Sequence, residues 1–70
     1  MTIGQKLRKL RGTRKISEVT EATGIPQPSL SMYENDTQIP SDERKKILSS
    51  YYQVPVGYIF FDEEYNENKS

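Results

Sequence analysis

The chain has 70 residues with ten Lys and Arg balancing ten Asp and Glu, and it contains neither Cys nor His. That length makes one small domain near the limit at which a single core suffices. The missing Cys and His remove disulfides, thiolate and imidazole metal sites, the commonest general base and a near-neutral pH switch.

No apolar run of about 18 residues and no signal-peptide pattern is present, which is the expectation for a soluble, cytoplasmic chain. Paired carboxylates, a Ser/His arrangement and a Gly-rich phosphate loop are also missing, so the expected function is not enzymatic and needs no cofactor, metal or small-molecule ligand. The zero net charge conceals blocks. Residues 6–15 are basic through Lys6, Arg8, Lys9, Arg11, Arg14 and Lys15, and Arg44, Lys45 and Lys46 form a second basic patch. Between Ile16 and Glu43 stand Glu18, Glu21, Glu34, Asp36, Asp42 and Glu43, with no Lys or Arg.

In chain order the pattern is all-helical. Ile3, Leu7 and Leu10 recur at four- and three-residue steps and give a first helix an apolar stripe beneath its basic face. Thr2 is its expected N-cap and Gly12 its stop. Ile16, Val19 and Ala22 mark a short second helix, with Thr13 or Ser17 as N-cap and Gly24 supplying a left-handed C-terminal turn. Ile25 should enter the core. Pro26 and Pro28 flank Gln27 and lead into a third helix from Ser29 to Asn35, with Leu30 and Tyr33 facing inward. Residues 35–40 read as a loop.

Ser41 should cap a fourth helix, whose first-turn Asp42 and Glu43 complement the helix dipole. Its packing face is Ile47, Leu48, Tyr51 and Tyr52, and Arg44 to Lys46 are expected on the exposed face. Gln53-Val54-Pro55 ends it. Val56 to Phe61 is a short fifth helix or turn that covers the core, and residues 62–70 read as an acidic, flexible tail after a domain spanning 1–61.

These pieces together resemble the Cro/repressor-type (XRE) helix-turn-helix domains of bacteria and temperate phages. Ile3-Gly4-Gln5-Lys6-Leu7-Arg8-Lys9-Leu10-Arg11 is similar to that family's first helix. Gly24-Ile25, Gln27, Ser29-Leu30-Ser31 and Glu34-Asn35 are similar to its turn and recognition helix, and Pro40-Ser41, Leu48, Val54 and Ile59-Phe60 keep its spacing. The resemblance covers residues 3–61. It implies a compact all-α, five-helix domain in which the second and third helices form the motif and the third lies in the major groove.

The same resemblance makes the charge pattern pointed, because DNA affinity comes largely from Lys and Arg neutralising phosphates. In the family a polar residue at the start of the second helix holds a phosphate; depending on the end from which the motif is aligned, that position here is Glu18 or Ile16. The base-reading positions become Gln27, Pro28 and Met32, of which Gln27 suits adenine and Met32 offers apolar contact. Where the family has Gly and then basic residues, this chain has Asp36-Thr37-Gln38. The face expected to meet DNA or a partner is Glu18, Gln27, Pro28, Ser29, Ser31, Met32, Glu34, Asn35, Asp36, Thr37 and Gln38. Lys6, Lys9, Arg14, Lys15 and Arg44 are the candidate phosphate contacts.

An acidic motif face suits the basic face of another helix-turn-helix protein. The first expectation is therefore an antirepressor that pairs with a cognate repressor and blocks its operator, with weak DNA binding of its own. It would resemble the modulator-of-repression proteins of lactococcal temperate phages. The alternative is a Cro-like, sequence-specific DNA-binding repressor. A toxin–antitoxin or restriction-control component is a third reading, for which the tail is short.

Overall fold

The computed structural model describes residues 1–61, so the reading of 62–70 as a tail lies outside the described residues. Five helices follow one another without an intervening strand among those residues: α1 Ile3–Arg11, α2 Ile16–Thr23, α3 Gln27–Glu34, α4 Asp42–Tyr52 and α5 Val56–Phe60. None is long and apolar enough to cross a membrane.

Helix α1 begins with a capping box. The Thr2 hydroxyl accepts from the Gln5 N–H at 3.1 Å, and the Gln5 side chain accepts from the Thr2 N–H at 2.9 Å. Two otherwise unpaired donors are thereby satisfied. Gly12 ends the helix, as expected.

Helix α2 departs from expectation at its start. Lys15, rather than Thr13 or Ser17, is the N-cap, in extended conformation and without a side-chain cap. The Glu18 carboxylate reaches back instead and accepts from the Lys15 N–H at 3.3 Å. That contact suits a first-turn carboxylate, which also complements the positive end of the helix dipole.

The turn into α3 is tightly determined. Gly24 takes the left-handed conformation at φ 80°, where any side chain would be strained. Thr23 Oγ1 donates to the Val19 carbonyl and accepts from the Ile25 N–H, so the turn's polar groups are used. Helix α3 starts at Gln27 with Pro26 as N-cap, two residues before the expected Ser29, and ends at Glu34 with Asn35 as C-cap. The earlier start costs no hydrogen bond, because Pro28 at the second helical position lacks an N–H that would have no partner there anyway.

Ser41 caps α4, with Asp42 and Glu43 in its first turn, and Gln53 ends it in a left-handed conformation at φ 59°. Arg44 and Lys45 are half-buried rather than solvated, because each lies against an aromatic residue: Arg44 donates to the Tyr33 hydroxyl at 2.9 Å, and Lys45 Nζ lies 5.6 Å from the Phe60 ring centroid. Lys46 alone of the three is exposed.

One buried cluster unites the helices: Leu7 from α1, Val19 from α2, Ile25 from the turn, Leu30 and Tyr33 from α3, Leu48 from α4, and Ile59 and Phe60 from α5. Each lies where the apolar spacing placed it. The seam between α1 and α3 is unusual in being both close and charged. Gly4 is buried and packs so near the end of α3 that a Cβ there would overlap the Glu34 carbonyl.

One helical turn apart along α1, Arg8 and Arg11 face the same carboxylate. Glu34, 7% exposed, is held bidentately by Arg11 at 2.7 and 2.9 Å, with Arg8 Nε at 3.7 Å. Charge-assisted, two-pronged geometry of this kind fixes orientation as well as energy. The Glu34 hydrogen bond is the main cause that raises the Arg11 pKa above its ordinary value.

Two substitutions test the seam by thermal unfolding. Gly4→Ala adds a favourable helix former yet should cost about 1–3 kcal/mol, because the methyl has no room. Glu34→Ala leaves Arg11 without its counter-charge and should cost about 3 kcal/mol, the low end for a broken buried pair because Arg11 keeps some solvent access and its hydrogen bond to the Arg14 carbonyl. An unchanged Tm in both variants would show that α3 is not anchored this way.

Candidate nucleic-acid interface

Helices α2 and α3, joined through Gly24 and Ile25, form the helix-turn-helix, and α1 packs behind α3. On α3 the buried residues Leu30, Tyr33 and Glu34 share one face. At about 100° per residue, Pro28, Met32 and Asn35 fall on the opposite side. Gln27, Pro28 and Asn35 are exposed; Ser29, Ser31 and Met32 are half-buried. Thr37 and Gln38 are exposed in the exit loop, which folds back so that both their N–H groups donate to the Met32 carbonyl at 2.9 and 3.3 Å.

The carboxylates expected on this face are engaged within the domain. Glu34 is buried against Arg11, on the opposite side of α3 from Met32. Asp36 takes a left-handed conformation at φ 62°, and its carboxylate lies at the start of α1. There Oδ2 accepts from the Thr2 hydroxyl at 2.7 Å and Oδ1 from the Gly4 N–H at 2.8 Å. The residue expected where phosphates are gripped thus caps a different helix. The Thr2 hydroxyl first, and the Gly4 N–H second, hold the Asp36 carboxyl below its ordinary value of 3.8. Glu18 is exposed, but its carboxylate completes the α2 N-terminus. Glu21 remains exposed on α2.

The cations divide similarly. Lys6 lies at the α1–α5 seam, donating to the Tyr58 carbonyl at 3.0 Å with the Tyr58 ring beneath it. Arg8 donates to Asn35 Oδ1 at 2.9 Å. Arg14 donates to the Leu10 carbonyl and stacks near Tyr51 and Tyr52, at 5.5 and 5.7 Å from their ring centroids. Burial, with the nearby Glu34 charge, pushes the Tyr52 phenol up to about 12, so Arg14 stacks on a neutral ring. Arg44 is tied to Tyr33, as above.

Of the five candidate phosphate contacts, Lys9 and Lys15 are the two exposed residues whose ammonium groups have no partner among the described residues. Lys46 on α4 is a third such cation.

Two contributors escaped the sequence. Ile39 is 69% exposed beside the exit loop, and nothing in the spacing of a lone apolar residue between Gln38 and buried Pro40 signals it. Arg11, taken as part of a solvated basic face, instead anchors α3. Here a signal existed: Glu34 follows Leu30 and Tyr33 on the inward stripe, and a buried carboxylate requires a cation.

The helix-turn-helix family model matches residues 5–59. The chain belongs to the helix-turn-helix family, a family of DNA-binding transcription regulators rather than of enzymes. No curated protein and no solved structure matches it. Among the described residues no group of His, Cys, Asp or Glu could hold a metal ion.

The contact of Asp36 with the start of α1 has a pH signature. A depressed carboxylate stabilises the fold above its unfolded value and ceases to do so as pH falls through its folded value. Asp36→Ala should therefore cost about 1–2 kcal/mol at pH 7, the size of a lost helix cap plus the left-handed backbone. The gap between variant and parent should narrow below about pH 4 in denaturant titrations. A variant as stable as the parent at pH 7 would show that the Asp36 contacts with α1 do not stabilise the fold.

Proposed function

We propose that the chain is a Cro-like repressor that binds operator DNA through α3 and its exit loop, in the cytoplasm of a bacterial host, and acts by occupying a promoter rather than by catalysis. The observation that carries this reading is the destination of Glu34 and Asp36. With Glu34 buried against Arg11 and the exposed Asp36 carboxylate turned to the start of α1, the outward face of α3 itself is uncharged, and its residues with those of the exit are Gln27, Pro28, Ser31, Met32, Asn35, Thr37 and Gln38. The repulsion that argued for a protein partner is thereby reduced on α3, where amide and hydroxyl groups suited to base edges and phosphates remain. Lys9 and Lys15 are the cations left to meet the backbone.

A second reading, the antirepressor that captures a cognate helix-turn-helix repressor, keeps one specific support. Free cations are scarce, while Ile39, Glu18 and Glu21 are exposed and Met32 half-buried, which offers apolar and acidic groups to a basic protein partner.

Titration of the protein alone into duplexes selected from a random pool separates the two. Operator binding predicts a selected site bound with Kd on the order of 10⁻⁸ M at physiological salt. The salt slope should be shallow, no steeper than about −3 per protomer, because three lysines at most are free to displace counterions. No selected site, together with tight binding to the repressor encoded beside the gene, would transfer the function to the second reading.

A further inference from the structure

The chemistry of the α3 surface restricts which base pairs it can read. Guanine is most often recognised by Arg or Lys, forked onto O6 and N7, and cytosine by a carboxylate accepting from N4. Helix α3 carries no Lys or Arg, and its one carboxylate, Glu34, is buried in the ion pair with Arg11. The cations at the end of α3 are Arg11, forked onto Glu34, and Arg8, which donates to Asn35 Oδ1 and stands 3.7 Å from Glu34.

What remains has a definite preference. Gln27, exposed in the first turn, can fork onto adenine N6 and N7. Pro28, exposed, and Met32, half-buried, stand four residues apart on the side of the helix opposite Leu30 and Tyr33, and so form a short apolar strip there. Pro28 has no backbone donor to offer, and the Met32 thioether is a soft apolar surface with at most a weak acceptor. In the major groove the matching feature is the C5-methyl group of thymine.

We propose that the Pro28–Met32 strip is the specificity-determining element of the recognition helix and packs on thymine methyl groups, so that the half-site is centred on A·T pairs. The Met32 side chain covers the methyl, while Gln27 reads an adenine beside it. This inference rests on the DNA-binding reading above and names the sequence class that reading leaves open.

The test uses the full chain and a randomised 20-base-pair duplex pool. Selection should return half-sites with A·T pairs at their centre. In the selected duplex, replacing central thymines one at a time by deoxyuridine removes only the methyl. At the contacted position, affinity should fall about fourfold, the worth of one buried methyl group. Met32→Ala should bind the thymine duplex more weakly and should no longer distinguish it from the deoxyuridine duplex.

The base replacement leaves the protein untouched, so it decides the matter even where the variant folds poorly. A selected site centred on G·C pairs, or parent protein indifferent to every methyl, would overturn this inference while leaving DNA binding intact. Failure to select any site would overturn the DNA-binding reading, and this inference with it.

Discussion

The bidentate grip of Arg11 on Glu34 fixes how α3 sits on α1, and much of the surface chemistry follows from it. A carboxylate on the inward stripe of a short helix would be prohibitively costly in a small apolar core unless paired. Two hydrogen bonds from a planar guanidinium supply the pairing and set the rotation of α3 about its axis. Gly4 then permits the close approach that brings the end of α3 against the start of α1. Asp36 completes the junction by taking the hydroxyl of Thr2 and the N–H of Gly4. Rotation, distance and exit angle of the recognition helix are thus all set by contacts to α1.

The same contacts decide the electrostatics of the outer face. A chain with six carboxylates and no cation across its reading motif would repel a polyanion if those charges stood on the surface. Glu34 does not, because it is buried against Arg11; Asp36 stays exposed and ionised but is turned to the start of α1, Glu18 closes the N-terminus of its own helix, and Asp42 and Glu43 lie in the first turn of α4. The cations are drawn in as well, Arg8 and Arg11 onto α3 and its end, Arg14 onto aromatic rings, Arg44 onto Tyr33. The outward face of α3 is left uncharged, with exposed Glu18, Glu21 and Asp36 elsewhere on the motif and its exit, and few lysines are free. Such a surface depends on base contacts for more of its affinity than a strongly basic one does, which makes the side chains of α3 unusually decisive.

Most of the architecture was legible in the sequence, because apolar periodicity and caps are local signals. The stripe of Leu7, Leu30, Tyr33 and Leu48, the caps Thr2, Gly24 and Ser41, and the short helix before Phe61 all stand where spacing placed them. The starts of α2 and α3 were less legible. Lys15 caps through its backbone alone, and Pro28 is tolerated inside the first turn, so neither leaves the expected side-chain signature. The destination of the charges was the least legible part. Linear charge blocks do not show that Asp36, after a left-handed turn, reaches 32 residues back to the Gly4 amide. Nor do they show that a basic stripe on α1 serves as the counter-charge for α3.

The most direct measurement of the central claim is an amide and guanidinium chemical-shift titration of the full chain with duplex DNA. The account predicts that shifts concentrate at Gln27, Ser29, Ser31, Met32, Thr37 and Gln38, while the Arg11 Nε–H resonance stays in place because its bond to Glu34 is internal. A displaced Arg11 resonance, or shifts confined to α4 and α5 with the recognition helix silent, would contradict it.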